Sequence, residues 1–441
     1  MFLFLIKIFY LGRSQLVIFI FNLHEVNFIF RYVFLLMYSF LKDESLYISL
    51  IINLLAMKTI TKLYFVLFIN ITVYFGSFTN LYGQVEAIPL SDNKAIAIDS
   101  KVLKEQRSIW IHFPVSYNTS NKRYPVLYLL DGEGHFKYVS ELTDYLSGYD
   151  RNRAPEMIVV GIVNVSRSRD FTLGKGNNNA SDTTGNSKFF QFVQDELVPY
   201  IDQNYKTQPY RILSAHSLAG LFGLYAQARN PHLFRASVLI SPVVLYGETR
   251  DILNQYQAAL RKNKNISEKI FITLGDEDTR NTDALKNVLT SDASSGINWK
   301  FQKYNDENHF SVTYKSIFDG LKFIYSNWFI DNYNPTIQSY SELQSHFNKL
   351  TDEFGYKVVP PEDLVNNLGY RQLRSGNTEE AINFFKENIR NYPNSWNAYD
   401  SLGEACLKKG DKKSAIENYK KSVNINPDNK DGKEILKQLE N

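Results

Sequence analysis

Arg211-Ile212-Leu213-Ser214-Ala215-His216-Ser217-Leu218-Ala219-Gly220 is the stretch that decides the fold. Its first half is rich in apolar residues, as in a buried strand, and its second half turns into small residues around one serine before it becomes helical. This order is typical of a nucleophile elbow, the sharp strand-to-helix turn that exposes a serine hydroxyl. The positions two residues before and two after Ser217 must be small, and alanine stands at both, where glycine is usual. The stretch predicts a catalytic serine, although short patterns of this kind also occur without catalysis.

Apolar runs of strand length recur through the middle of the chain, separated by segments with the helical period. The predicted strands are Arg107–Pro114, Pro125–Leu130, Met157–Val165, Tyr210–Ser214, Ala236–Ser241, Lys269–Leu274 and Trp299–Tyr304, and the predicted helices include Phe189–Tyr205 and Leu218–Asn230. This alternation predicts an α/β fold with a mainly parallel sheet covered by helices on both faces. In such sheets the chemistry collects at the carboxyl ends of the strands.

Polar residues follow three of these strands in the order nucleophile, acid, base. A serine hydroxyl needs a histidine to accept its proton, and the histidine needs a carboxylate to orient it. We therefore predict Ser217 as the nucleophile, His309 as the base and Asp278 as the acid. Asp276 and Glu277 lie in the same loop as Asp278 and remain alternatives for the acid. In the other interpretation, the carboxylates only solvate the loop or cap the next helix, and His309 is an ordinary loop residue.

An acyl hydrolase also needs N–H donors for the oxyanion of its tetrahedral intermediate. One donor is predicted at the backbone of Leu218, where the helix after the elbow begins. The loop after Leu130 reads Asp131-Gly132-Glu133-Gly134-His135, and its glycines leave room for backbone donors to point into the site. We predict the Glu133 backbone as the second donor. Alternatively, the Asp-Gly pair is an ordinary turn at the end of a strand.

Composition excludes several classes of protein. The chain has 441 residues and a net charge of +3, and no basic stripe with interleaved aromatic residues indicates a nucleic-acid partner. The only cysteine is Cys406, so no intramolecular disulfide can form, and no Cys/His cluster has the spacing of metal ligands. We predict an enzyme without a metal ion or an organic cofactor.

The N-terminal part of the sequence indicates export. Residues 57–83 have a basic start, an apolar run and a small-residue end, which is the order of a secretory signal peptide. We hypothesise that translation starts at Met57 and that residues 1–56 are a mis-annotated extension. The alternative is one or two membrane helices within the N-terminal part. The first interpretation predicts a periplasmic or secreted protein without a stable membrane anchor, whose hydrolase domain occupies residues 84–331.

The elbow and three further stretches together carry a pattern that is more specific than the elbow alone. They are Tyr124–Gly132, Glu196–Ile201, His216–Leu221 and Glu307–Val312. Together they resemble the putative esterase family of α/β-hydrolases, which contains esterase D, the mycolyltransferases and the enterochelin-type siderophore esterases. The resemblance implies an α/β-hydrolase fold and an ester hydrolase activity, and it implies the same roles for Ser217, His309, Leu218, Glu133 and an acid near Asp278.

The segment Ser166-Arg167-Ser168-Arg169-Asp170-Phe171-Thr172 is similar to an R-x-R-D-x-T pattern in the siderophore-esterase-like branch of that family. Guanidinium groups bind carboxylate or catecholate oxygens in a bidentate manner. We therefore predict that Arg167 and Arg169 bind an anionic ester substrate. In the alternative, the arginines form ion pairs with acidic residues of the protein and only shape the loop.

The C-terminal region repeats with a period of 34 residues, as in tetratricopeptide repeats. The matched pairs are Gly369 and Gly403, Gly376 and Gly410, Ala381 and Ala415, Phe385 and Tyr419, and Pro393 and Pro427. We predict a linker at residues 332–362 and a repeat domain at residues 363–441. Such a short array needs a neighbour for stability, so it should dock on the hydrolase or on another subunit.

Two functions follow from these patterns. The first is a secreted or periplasmic serine esterase that acts on small-molecule or oligosaccharide esters, of siderophore type or otherwise anionic. The alternative is a non-catalytic binding protein with a hydrolase-like scaffold, whose helical repeats mediate protein interaction or self-association.

Overall fold

The computed structural model describes residues 93–440 except 149–150, 173–184, 246–249, 264–265, 292–295 and 331–335, together with the backbone of two N-terminal strands. These strands, β1 (Phe4–Tyr10) and β2 (Leu16–Asn22), pair antiparallel and belong to a separate unit, residues 1–90. The predicted signal peptide at 57–83 and most of the predicted extension 1–56 lie outside the described residues. In the part of the chain that is described, no helix is long and apolar enough to cross a membrane.

An eight-stranded sheet organises the second unit, Ser91–Asn441. Its strands are β3 (Asn93–Ser100), β4 (Glu105–His112), β5 (Tyr124–Leu129), β6 (Ile158–Ile162), β7 (Thr207–His216), β8 (Ala236–Ile240), β9 (Lys269–Leu274) and β10 (Asn298–Lys303). They lie in the order β10-β9-β8-β7-β5-β6-β4-β3, and β5 to β10 pair parallel with one another. The prediction of a mainly parallel sheet is confirmed. The antiparallel edge strand β3 was not predicted, because most of its side chains are exposed or only half-buried and it lacks an apolar run.

Helices cover both faces of this sheet, as predicted. They are α1 (Gly132–Ser147), α2 (Arg167–Phe171), α3 (Gly185–Gln191), α4 (Val198–Asn204), α5 (Leu218–Arg229), α6 (Arg250–Lys262), α7 (Arg280–Ser291) and α8 (Val312–Ile324), and a π-helical segment joins α3 to α4. Alternate residues of the buried strand β5 enter different cores: Val126 and Tyr128 pack with α4 to α7, whereas Leu127 and Leu129 pack with α1 and α8. This two-sided burial explains why β5 reads as a continuous apolar run.

Among the described residues, six further helices follow the hydrolase region. They are α9 (Tyr340–Phe354), α10 (Glu362–Arg374), α11 (Thr378–Asn391), α12 (Trp396–Lys409), α13 (Lys412–Ile425) and α14 (Lys430–Glu440). The repeat explains their pairing: a Cβ at Gly369 would lie 2.5 Å from the Phe385 ring, and one at Gly403 would lie 3.0 Å from the Tyr419 ring. Each glycine therefore lets a helix approach the aromatic residue of its partner, and the tetratricopeptide prediction is confirmed.

The predicted linker at residues 332–362 is wrong for its central part, which forms α9. Leu343, Phe347, Leu350 and Phe354 of this helix are buried in the same core as Tyr210 at the start of β7. Their spacing of three or four residues is that of an amphipathic helix, so the sequence did contain the signal. The C-terminal helices thus dock on the hydrolase, and α9 completes the core beneath one face of its sheet.

Candidate active site

The turn between β7 and α5 has the geometry of a nucleophile elbow. Ser217 adopts φ 59° and ψ −119°, a combination that is strained for a residue with a side chain, and its backbone N–H donates to the Ile240 carbonyl at 2.8 Å. Ala215 and Ala219 are fully buried, so a methyl group is accommodated at both positions. The position that requires glycine is Gly220, where a Cβ would lie 2.8 Å from the Cβ of Pro242.

Ser217, His309 and Glu277 form one continuous hydrogen-bonded chain. The Ser217 hydroxyl lies 3.0 Å from His309 Nε2, and His309 Nδ1 lies 2.6 Å from Glu277 Oε2. In the arrangement that suits catalysis, the serine donates to Nε2 while Nδ1–H donates to the carboxylate. The geometry is that of a nucleophile, a base and an acid at the carboxyl ends of β7, β10 and β9.

Asp278, which we predicted as the acid, lies elsewhere and must be corrected. Its carboxylate accepts from the backbone N–H and from Nε of Arg280, each at 2.8 Å, and its side chain is 57% exposed. These hydrogen bonds hold the pKa of Asp278 below its ordinary value. Because Arg280 is the first residue of α7, Asp278 accepts from an N–H at the start of that helix.

Glu277 reaches His309 because the loops that carry them lie very close. The Asp276 backbone N–H donates to the Glu307 carbonyl at 2.6 Å, and a Cβ at Gly275 would lie 2.8 Å from that same oxygen. Gly275 therefore allows the loop after β9 to pack against the loop after β10. The Asp276 side chain turns outward, 3.5 Å from Lys303.

His216, which precedes the nucleophile, was not singled out from the sequence. Its Nε2 donates to the His309 carbonyl at 2.7 Å, and the two rings lie 4.8 Å apart. Burial lowers the pKa of His216 to about 4, so the ring is neutral near pH 7. A neutral ring holds the backbone of His309 without placing a second positive charge beside its imidazole.

Both predicted oxyanion donors lie in the first turns of helices, Glu133 in α1 and Leu218 in α5. First-turn N–H groups have no carbonyl acceptor within their own helix and carry its partial positive charge. Asp131 introduces α1 in the left-handed conformation, with φ 55°. A Cβ at Gly132 would lie 2.9 Å from the backbone of Gly161, so only glycine lets the start of α1 lie this close to β6.

The two predicted substrate-binding arginines are paired with carboxylates of the protein. Arg167 donates to both oxygens of Asp131, at 2.7 and 3.0 Å, and to the His216 carbonyl at 3.1 Å. Arg169 donates to Glu105 through two nitrogens and to Asp170 through Nε. These contacts favour the internal ion-pair interpretation over anion binding. Arg167 joins the loop that begins α1 to the residue before the nucleophile.

Two exposed aromatic residues lie at this edge of the sheet, and one of them contacts His309. Phe310 is 78% exposed and packs edge-on against His309, with ring centroids 5.2 Å apart. Tyr314 is 53% exposed and lies 5.9 Å from the ring of Tyr138. Exposed rings at the edge of a site offer apolar surface to a ligand.

Comparison with known proteins connects this geometry to a family. A family model described as "Putative esterase" matches residues 100–322, and a tetratricopeptide-repeat model matches residues 397–429. The ferri-bacillibactin esterase BesA of Bacillus subtilis (strain 168) is 25% identical over 231 residues, which cover 45% of this chain and 78% of that protein.

Solved structures are similar over a longer part of the chain. An IroE-like serine hydrolase from Shewanella oneidensis is 26% identical, with a TM-score of 0.59. The similar part comprises 68% of this chain and 99% of the chain of that hydrolase. An uncharacterised protein from Capnocytophaga ochracea shares the fold with a TM-score of 0.56 at 21% identity and covers 79% of this chain and 99% of its own. The esterase model covers half of this chain, and the chain therefore belongs to the putative esterase family, as a carboxylic ester hydrolase of the α/β-hydrolase fold with tetratricopeptide repeats at its C-terminus.

Proposed function

We propose that this protein is an exported serine esterase that hydrolyses carboxylic esters through an acyl-enzyme formed on Ser217. The observation that carries the proposal is the hydrogen-bonded chain from the Ser217 hydroxyl through His309 to Glu277. Hydroxyl groups are weak nucleophiles, and a histidine oriented by a carboxylate is the common way to activate them. Export is supported by the signal-peptide pattern at residues 57–83 alone.

In the acylation step, Ser217 Oγ attacks the ester carbonyl carbon while its proton moves to His309 Nε2. Glu277 stabilises the imidazolium that forms, and the backbone N–H groups of Leu218 and Glu133 bind the oxyanion. His309 then returns the proton to the oxygen of the leaving alcohol, which leaves the acyl group on Ser217. In the second half, a water molecule gives a proton to His309 and attacks the acyl carbon. The bond from that carbon to Ser217 Oγ then breaks, His309 returns the proton to Oγ, and the carboxylic acid leaves.

Siderophore-type esters are the first substrates to test. One relative is named a ferri-bacillibactin esterase, and Phe310 offers an exposed ring beside His309 to a planar substituent. Purified enzyme would be compared on a siderophore lactone, a feruloyl ester and a short-chain nitrophenyl ester. We expect the highest kcat/KM on the siderophore lactone, and a higher value on either of the other esters would redirect the assignment.

Replacing the nucleophile tests the mechanism. Ser217→Ala should lower kcat on a nitrophenyl ester by about a thousandfold or more, because triad members act as a unit. It should also abolish labelling by a fluorophosphonate probe, which reacts only with an activated serine. Ser237→Ala, at a buried serine of β8, is the matched control and should keep both properties. Full activity in Ser217→Ala would refute the mechanism, whereas an unsubstituted protein with neither esterase activity nor probe labelling would favour the non-catalytic binding function.

We propose that the repeats chiefly stabilise the hydrolase. The support is the core that α9, α10 and α11 share with the sheet, in which Phe347, Leu368 and Phe384 pack together with residues of β7 and α8. Deleting the repeats should then reduce soluble yield and thermal stability. A deletion that kept the stability but lost self-association or a bound protein would favour the interaction role instead.

A further inference from the structure

Ser241 is a buried serine that touches the catalytic acid without touching the catalytic histidine. It follows β8 directly, and its hydroxyl donates to Glu277 Oε1 at 2.7 Å. The other carboxylate oxygen, Oε2, accepts from His309 Nδ1 at 2.6 Å. The two oxygens of Glu277 are thus held by two different donors, which fixes the rotation of the carboxylate about its last bond.

The backbone around Ser241 also holds the nucleophile. The Ile240 carbonyl accepts from the Ser217 N–H at 2.8 Å, and the Val243 N–H donates to the Ser217 carbonyl at 3.2 Å. One short turn, residues 240–243, therefore contacts the nucleophile through its backbone and the acid through one side chain. This turn can set the distance between the two ends of the triad.

Ser241 occupies a backbone conformation that favours a different residue. Its φ is 42°, in the left-handed region, where glycine and asparagine are more stable than serine. Serine at this position keeps backbone strain that glycine would relieve. A residue kept in a strained conformation at a site suggests a role for its side chain, and here the side chain has one contact of clear chemical meaning.

We propose that Ser241 is a positioning residue for the esterase reaction: its hydroxyl holds the Glu277 carboxylate so that Oε2 stays in line with His309 Nδ1. This inference rests on the proposed function, because it acts through the proposed triad. Ser241 does not reach the substrate in this mechanism. Its loss should therefore lower kcat and leave KM nearly unchanged.

Two variants separate this role from a merely structural one. Ser241→Ala removes the hydroxyl, and Ser241→Gly removes it while relieving the backbone strain. We expect both to lower kcat on a nitrophenyl ester by about 10- to 100-fold, the range for loss of a hydrogen bond to a charged group. Ser241→Gly should melt at the same temperature as the unsubstituted protein or higher. If the turn alone mattered, Ser241→Gly would keep full activity, and the inference would be overturned.

A double-mutant cycle shows whether the effect passes through Glu277. In a Glu277→Gln background, adding Ser241→Gly should change kcat by less than about threefold, because the oriented carboxylate is already gone. A full and independent loss in that background would contradict the inference. Ser237→Ala is again the matched control, since that buried serine lies on β8, the strand that Ser241 follows, and hydrogen-bonds Glu268 at the other edge of the sheet.

The outcomes distinguish this inference from the function on which it rests. If Ser217→Ala remains active, the proposed triad is wrong and Ser241 has no acid to position. If Ser217→Ala is inactive while Ser241→Gly keeps its full kcat, the triad stands and only the role of Ser241 is rejected.

Discussion

Two glutamates lie at opposite ends of strand β9 and show how differently the two edges of the sheet are built. Glu277 follows the carboxyl end of the strand, is partly exposed and pairs with His309. Glu268 precedes the amino end, is fully buried and accepts from the uncharged side chains of Gln227 and Ser237. Burial raises the pKa of Glu268 well above its ordinary value.

The difference teaches that one residue type serves two purposes, according to its partners. A carboxylate with a histidine partner and some solvent can stay charged, and its charge can stabilise an imidazolium. A carboxyl group that is buried among neutral donors is driven to its neutral form, since an unpaired charge is costly there. The carboxyl edge is therefore suited to chemistry, whereas the amino edge is a structural part of the core.

The largest expected effect tests the charge at the carboxyl edge. Glu277→Gln keeps the size of the side chain but presents an amide to His309 Nδ1, which stabilises the wrong tautomer. We expect kcat on a nitrophenyl ester to fall by about 10³- to 10⁴-fold, as in other triads. Thermal melting should change little. Loss of less than about tenfold would show that His309 works without this acid.

The next effect tests the amino edge, where α9 covers the sheet. The Phe354 ring packs against Tyr210 and Tyr325, with centroids 5.0 and 5.2 Å away. Phe354→Ala should lower the free energy of unfolding by about 3–5 kcal/mol, the usual cost of removing a buried aromatic ring. Denaturant titration measures this loss, while kcat of the folded fraction should remain unchanged. A fall in kcat without a loss of stability would contradict the division between the two edges.

A smaller effect is expected from Glu268 and depends on pH. The Glu268 carboxyl group loses its proton near about pH 4.3 in the unfolded chain, whereas the folded protein keeps the proton to a higher pH. The stability that the protonated Glu268 contributes is therefore fully present below the pKa of the unfolded chain, and it is lost as pH rises through the higher pKa of the folded protein. Glu268→Gln cannot lose a proton. The melting temperature of the variant should therefore decline less than that of the unsubstituted protein between about pH 5 and pH 8. Parallel curves for the two proteins would show that Glu268 does not titrate differently on unfolding.

The smallest effect is expected at Asp278, which follows Glu277 in sequence but pairs with Arg280 instead of His309. Its carboxylate contacts only Arg280 among the described residues. Asp278→Asn can still accept from the Arg280 N–H, so we expect kcat to stay within about twofold and the melting temperature to stay nearly unchanged. The nitrophenyl ester assay and the thermal melting used for Glu277→Gln measure both quantities. A loss comparable to that of Glu277→Gln would reverse the assignment of the acid.

The sequence predicted those parts of the molecule that depend on local pattern. The parallel strands follow from apolar runs and the repeat pairs from a fixed period. Ser217 was proposed from its position directly after a strand, and His309 from its position in the loop that follows another strand. The choice between Glu277 and Asp278 did not follow, because it depends on which side chain of a tight turn faces a loop some thirty residues further on. Ser241 was predicted as the last residue of a strand, whereas the strand ends at Ile240 and leaves Ser241 directly after it.

The core beneath the sheet has a consequence for synthesis of the protein. His309, the last member of the proposed triad along the chain, leaves the ribosome before residues 340–384, whose apolar side chains complete that core. Chains grow from the N-terminus at about 5–20 residues per second, so the nascent hydrolase spends several seconds with Tyr210, Tyr325 and Trp328 uncovered. During that interval the incomplete chain exposes an apolar surface that favours aggregation or chaperone binding. The surface is covered once the C-terminal helices have been synthesised and pack against it.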